Sequence, residues 1–364
     1  FARHIVATGD WAMTAYEKHS YYWQILYYYL LAIAHLVFGE ALFPILWMQG
    51  IALVGTALLT VKIGEMMIGR RDALMYGAGI AVFLHPMMRE YAMRLYPVGA
   101  FLAVATVAML LAAEKRHAVP WNALFFATAG ILGGLLVLLR NNMQAFVALA
   151  LVWIIVSLKR KSAVAIMAFA AGYVLVLAPF LARNYALGEG KMELLSRSSG
   201  TSSLMIGTPV PETFVPEKAL PKGIASLASR FFDERANRTL QWMRERPGEY
   251  AKFLMGKSRI FFGREPFHWP LFVPFVLFVP ASIFFLAWPQ AMGPDAKRKD
   301  YILVGGLVIV ESIVLTLVSV GFFRYLLPLL PFAILTIALS MMGMRDLIRK
   351  KFTGRRSQPK SSGL

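Results

Sequence analysis

The chain has 364 residues, 58% of them hydrophobic, with 38 Lys and Arg against 20 Asp and Glu, a formal net charge of +18. A mean hydropathy of +0.58 is too apolar for a soluble globule, and the absence of Cys excludes disulfides and thiolate metal sites and suits an oxidising compartment. The excess charge sits in short clusters between apolar runs, which speaks for membrane topology and against a nucleic-acid partner.

Taken in chain order, Phe1–Ser20 has neither a charged n-region nor a cleavage motif, so it does not read as a signal peptide. The sequence opens at Phe1 rather than at a Met, and we expect a fragment whose start lies upstream. Tyr21–Phe38 is apolar and rich in Tyr and Trp. Counting it as a span would put Arg70-Arg71 on the wrong side, so we expect a helix in the outer interface, with a true span as the alternative.

Apolar runs long enough to cross, or nearly so, then alternate with basic clusters. They are Leu42–Val61, Ala73–Pro86, Pro97–Ala113, Trp121–Leu139, Ala145–Leu158, Ala163–Ala182, Pro270–Trp288, Tyr301–Val320 and Leu326–Met342. Arg70-Arg71, Lys115-Arg116, Lys159-Arg160-Lys161, Lys297-Arg298-Lys299 and the tail from Arg345 to Lys360 fall at every second boundary. Cytoplasmic loops collect Lys and Arg, so the pattern predicts an all-α, polytopic helical bundle of about nine spans with its C-terminus inside. The expected organisation is an outer loop with an aromatic helix (1–41), a first membrane segment (42–182), an extracytoplasmic loop (183–269), the last spans (270–343) and a basic cytoplasmic tail (344–364). Within the loop, Pro209, Pro211, Pro216 and Pro221 block regular helix, and stretches near Ile224–Arg246 and Glu249–Phe262 predict a small helical cap.

No nucleotide loop, zinc-protease motif or nucleophile elbow occurs. What stands out is arginine at the outer ends of spans, where the inside rule disfavours it: Arg89 and Arg94, Arg140, Arg183 and Arg324. A planar guanidinium matches phosphate oxygens two at a time, so converging arginines suit a lipid phosphate; the alternative is that each one anchors to headgroups or pairs with a carboxylate. Among acids, Asp10 and Glu17 either bind an acceptor or face water, and Glu90 is an outer-loop candidate or an ion-pair partner of Arg89 or Arg94. Glu311 lies within a span, either as a proton relay or as a structural hydrogen-bond partner, and we favour the second. His35 and His85 read as satisfied interfacial histidines, since no ligand repeats at metal spacing; no cofactor is evident, and a divalent metal stays open. Tyr21-Tyr22 and Tyr27-Tyr28-Tyr29 read as an aromatic belt rather than a sugar platform.

Four patches then fall in a recognisable order. Tyr91–Tyr96 after His85-Pro86, Pro179 to Arg183-Asn184-Tyr185 followed by Ser199-Gly200-Thr201 and Ile206-Gly207, Arg246-Pro247-Gly248-Glu249-Tyr250 with Lys257, and Arg324-Tyr325 with Pro328 and Pro331 resemble the membrane-embedded C-type glycosyltransferases related to protein O-mannosyltransferases and aminoarabinose transferases. The resemblance covers most of the chain. It implies transfer of a sugar from a polyprenyl-phosphate donor to an acceptor hydroxyl on the outer face of a bacterial inner membrane, with an acidic residue of the first outer loop as base and basic residues on the leaving phosphate. In that family the base follows the first span, and Phe1–Trp11 resembles the stretch just after it. The catalytic acid is therefore expected upstream of Phe1, leaving Asp10, Glu17 and Glu90 as weak candidates. Carried over residue by residue, the resemblance implies that Arg94, Arg183 and Arg324 hold the lipid phosphate and that Tyr96, Asn184, Tyr185, Lys257 and Tyr325 line the pocket; Arg140, outside the four patches, is added for its place at the outer end of a span. A transporter or flippase of a lipid-linked saccharide is the alternative; it would show related halves with broken helices, and no internal repeat is present.

Overall fold

The structure, a computed structural model, describes residues 2–11, 25–40, 43–90, 96–115, 119–140, 143–159, 162–187, 241, 244–252, 269–288, 298–318 and 323–356. Almost all of these are helical and none among them forms a strand. In chain order the helices are α1 (Ala2–Thr8), α2 (Ile25–Phe38), α3 (Phe43–Ile68), α4 (Ala73–Leu84), α5 (Pro86–Glu90), α6 (Tyr96–Lys115), α7 (Val119–Leu139), α8 (Gln144–Leu158) and α9 (Ser162–Leu187). Farther along the chain come α10 (Trp269–Ala287), α11 (Arg298–Val318), a 3-10 turn (Phe323–Leu329) and α12 (Leu330–Arg356).

The helices turn the pattern of a soluble protein inside out. On α3, Thr56 and Thr60 are fully buried while Ile51 and Leu58 are about two-thirds exposed (66% and 65%). The buried hydroxyls are satisfied within their own helices: Thr56 donates to the Ala52 carbonyl and Thr60 to that of Thr56, both at 2.7 Å. Thr106, Ser282 and Thr336 do the same, which suits helices in lipid, where no water can accept. Five helices, within Phe43–Ile68, Pro97–Lys115, Asn122–Leu139, Ser162–Ala186 and Leu326–Arg349, are long and apolar enough to cross a membrane. This is a helical membrane protein.

The remaining expected spans are helices in the expected places, but some are short. α4 has 12 residues and α8 has 15, against about 20 for a full crossing. For α4 the reason is local. His85 ends the helix, and Pro86, which lacks an N–H and is pre-set for a first helical turn, starts α5. Conversely, α9 runs past its expected exit, so Arg183, Asn184 and Tyr185 lie on its last turns, and α12 runs unbroken to Arg356, making the first part of the basic tail helical.

One end of the bundle gathers the basic clusters. Arg345 on α12 reaches back to Asp72, with Nη2 2.5 Å from Oδ2, and Arg70 pairs with Asp346. Lys115 of α6 donates to the Met66 carbonyl of α3, and Lys299 of α11 pairs with Glu114 of α6. Asp72 also caps α4 by accepting from the Leu74 N–H, and its carboxyl is held below the usual range, chiefly by the hydrogen bond from Arg345. We refer to this as the basic end.

α7 and α9 approach closely and run parallel. A Cβ on Gly130 would strike the Phe169 carbonyl, one on Gly172 the Ala127 carbonyl, and one on Gly134 the Val176 side chain. Small residues thus let the two backbones touch, the device by which membrane helices gain contact without a hydrophobic drive. The main core joins α3, α4, α6, α7, α8, α10, α11 and α12 around Trp153, Phe126, Phe285 and Phe332. A smaller cluster at the far end sets α1 and α2 (Ala2, Ile5, Ala32) against the outgoing turns of α7 and α9 at Leu138 and Leu177.

Candidate functional site

Of the expected site residues, Arg140, Arg183 and Arg324 lie at the end opposite Arg70, Lys115, Lys299 and Arg345. Arg140 follows the last turn of α7, its N–H donating to Leu136 at 2.8 Å, and its carbonyl accepts from Met143 at 3.0 Å as the chain turns into α8. The side chain is buried, 4% exposed, and its stem lies against Gly99 of α6, where an added Cβ would sit 3.5 Å from Nε. Arg183 on α9 is partly buried and donates to the Asn184 side chain at 3.1 Å. Tyr185 is exposed. Arg324 and Tyr325 lie on the 3-10 turn, which packs on α6 and α11, and Tyr96 opens α6.

Helix register puts three of these arginines at one height. Gly134 meets Val176 across the parallel α7–α9 pair; Arg140 is six residues beyond the first and Arg183 seven beyond the second, a difference of about 1.5 Å. Along α3, Gly55 meets Phe101 of α6 and Gly64 meets Leu335 of α12. Those contacts place Gly99, Arg140's neighbour, about 16 Å beyond Gly64, and Arg324 about 19 Å beyond it. The spread is less than one helical turn. Across the bundle the order is α9, α7, α6 and the 3-10 turn, so Arg140 lies between Arg183 and Arg324.

Asp10 reaches the same region. Trp11 stacks on Tyr29 with ring centroids 6.0 Å apart, Tyr29 donates to the Trp11 carbonyl at 2.6 Å, and Tyr29 meets Phe180 edge-on, one turn before Arg183. Asp10 itself lies 3.7 Å from the His4 ring, and its N–H donates to Thr8 Oγ1 at 3.2 Å. Glu90 ends α5 exposed and makes no ion pair with Arg89; a pairing with Arg94, the other expected partner, lies outside the described residues. Arg94, Lys257 and Glu17 lie outside the described residues, as does the expected cap apart from 183–187, 241, 244–252 and Trp269.

Glu311 has a structural role. Fully buried on α11, it accepts the Phe146 N–H through Oε1 at 2.7 Å. Phe146 is in the first turn of α8, whose N-terminal N–H groups have no partner in their own helix, so Glu311 caps it from across the bundle. His35 is satisfied by the Gly39 carbonyl at 3.1 Å, and no group of residues that could hold a metal occurs among the described residues.

One residue escaped the sequence reading. Gln49 on α3 is 1% exposed, yet neither amide atom has a hydrogen-bond partner among the described residues. It lies six residues before Gly55 on α3, about 9 Å farther toward the arginine end, and so about 3 Å past Arg324 on the same measure. A lone Gln inside the run Leu42–Val61 was the available signal.

No family, characterised relative or solved structure matches the chain.

Proposed function

We propose that the chain is the membrane part of a polyprenyl-phosphate-sugar-dependent glycosyltransferase of the C type, moving a sugar to an acceptor on the outer face of a bacterial inner membrane. The basic end is cytoplasmic, by the inside rule, and the arginine level faces outward. Nine spans follow, formed by α3, α4 with α5, α6, α7, α8, α9, α10, α11 and α12, while α1 and α2 lie in the outer interface beneath a small cap.

The observation behind the reading is the shared level of Arg140, Arg183 and Arg324 at the end remote from Arg70, Lys115, Lys299 and Arg345. Charge grows on the departing lipid phosphate as the glycosidic bond breaks, and guanidinium forks at that depth stabilise it more than they stabilise the bound donor. Arg94, outside the described residues, is assigned to the same phosphate on the resemblance alone. Tyr96, Asn184, Tyr185, Lys257 and Tyr325 border the sugar and acceptor, and a carboxylate takes the acceptor proton. Gln49 adds a buried amide able to meet a sugar hydroxyl. The engagement of Glu311 as a helix cap counts against a proton-coupled transporter, which needs a free mid-span acid.

The test is sugar transfer from radiolabelled polyprenyl-phosphate sugars by the full-length protein in proteoliposomes. Transfer to an acceptor supports the enzyme. Movement of the intact lipid-linked sugar between leaflets without transfer replaces it with the flippase.

A further inference from the structure

The last helix carries an apolar stripe past the end of the bundle. Met341, Met344, Ile348 and Phe352 recur at three- and four-residue spacing and are 55%, 49%, 50% and 66% exposed. A continuous stripe at that spacing would be expected inside the bilayer, where α12 is one of the long apolar helices. Here it runs on beyond Arg345, which the pair with Asp72 fixes at the level of the loop between α3 and α4. Phe352 is seven residues farther, about 10 Å past that loop. In water, such a face would be left uncovered.

The surrounding charge says what covers it. Arg349, Lys350, Lys351, Arg355 and Arg356 follow in the same helix, and no acid occurs after Asp346. On the helical wheel Arg345 and Arg349 fall on one flank of the stripe and Lys351 on the other. A narrow apolar face between basic flanks suits the headgroup layer of an anionic leaflet, where the end of an unbroken helix sets its apolar residues toward the acyl boundary and its cations at the phosphates. The face is continuous with the lipid-facing surface of α12, and Arg345–Asp72 and Arg70–Asp346 tie its upper end to the bundle.

We propose that residues 341–356 form an amphipathic foot that binds the anionic lipid surface of the inner leaflet. It anchors the basic end of the bundle and is independent of the sugar-transfer chemistry at the other end.

The chain has no Cys, so single-Cys variants carry one spin label each. Labels at positions 348, 350 and 352 of the full chain are compared in phosphatidylcholine nanodiscs with and without phosphatidylglycerol. With phosphatidylglycerol, the ratio of oxygen to nickel-chelate accessibility at 348 and 352 is expected to exceed that at 350 several-fold. Without it, the ratio falls toward that at 350. The triple variant Arg349→Gln, Lys350→Gln, Lys351→Gln should lose the lipid dependence. Backbone amide exchange over 347–356 in the unlabelled protein, slower with phosphatidylglycerol, checks the result without a substitution. Nickel accessibility at 352 equal to that at 350 in the anionic discs would overturn the proposal. So would accessibility unchanged by lipid charge, or spin–spin broadening at 352 from a second copy on this face.

Discussion

Glu311 Oε1 accepts the Phe146 N–H at 2.7 Å, so a carboxylate on α11 closes the open end of α8. The pairing gives a buried acid a structural occupation and ties two helices together near the arginine end. Glu311→Gln keeps an acceptor oxygen and should leave thermal stability in detergent nearly unchanged. Glu311→Leu leaves the N–H orphaned and should cost about 1–3 kcal/mol. A Gln variant as damaged as the Leu variant would show that the charge, and not the cap, is what matters.

The Asp72–Arg345 pair predicts an acid-sensitive clasp. Asp72 has its folded pKa depressed, so its contribution is present above the unfolded carboxylate value, about 3.9, and is lost as pH falls through the folded value. Arg345 remains 31% exposed, which limits the pair to about 0.5–1 kcal/mol. Asp72→Asn keeps the cap on Leu74 and loses the ion pair. Its deficit relative to wild type should hold at neutral pH and vanish in acid, read by thermal unfolding across pH.

The α7–α9 contact should tolerate no added carbon at its tightest points. Gly172→Ala drives a Cβ into the Ala127 carbonyl and should destabilise by about 1–3 kcal/mol, since both colliding partners are backbone. Gly133→Ala, on the same α7, meets only side chains at 3.5 Å or more and should be near neutral. Equal losses in the two variants would contradict the close approach.

The helical plan was legible because lipid imposes it: apolar runs of spanning length and basic boundaries could be read directly, and Arg70, Lys115, Lys299 and Arg345 meet at one end as their spacing implied. Helix ends were less legible. Whether α9 stops at Ala182 or reaches Leu187 depends on tertiary contacts that periodicity does not carry, and the break at His85-Pro86 shortened α4 below the apolar run that predicted it. Arg140, Arg183 and Arg324 stand out in the sequence at the boundaries between the basic clusters, but their common height depends on glycine contacts between helices distant in sequence. Gln49 was passed over because a single amide in an apolar run has no pattern; only its burial without a partner marks it.

Orientation can be read from the side on which two exposed positions react. Arg71 is beside the basic end and Tyr185 beside the arginine level. In intact cells, an impermeant thiol reagent should label Tyr185→Cys and spare Arg71→Cys until the membrane is permeabilised. The opposite labelling would invert the assignment of faces.

Gln49 separates binding from folding. Gln49→Met removes an unsatisfied buried amide at similar volume, so stability should hold or rise. If the amide meets a sugar hydroxyl, KM for the lipid donor should rise about tenfold, which corresponds to about 1.4 kcal/mol. An unchanged KM with raised stability would remove Gln49 from the site.

The central claim is that Arg140, Arg183 and Arg324 hold the leaving lipid phosphate, and sugar transfer by Arg183 and Arg324 variants of the full-length protein tests it most directly. Arg→Lys keeps charge without the bidentate fork and should lower turnover, while Arg→Ala should cost about 2–4 kcal/mol of transition-state stabilisation, with thermal stability close to wild type in each case. Wild-type transfer by well-folded Arg183→Ala and Arg324→Ala variants would leave these arginines as headgroup anchors and contradict the account.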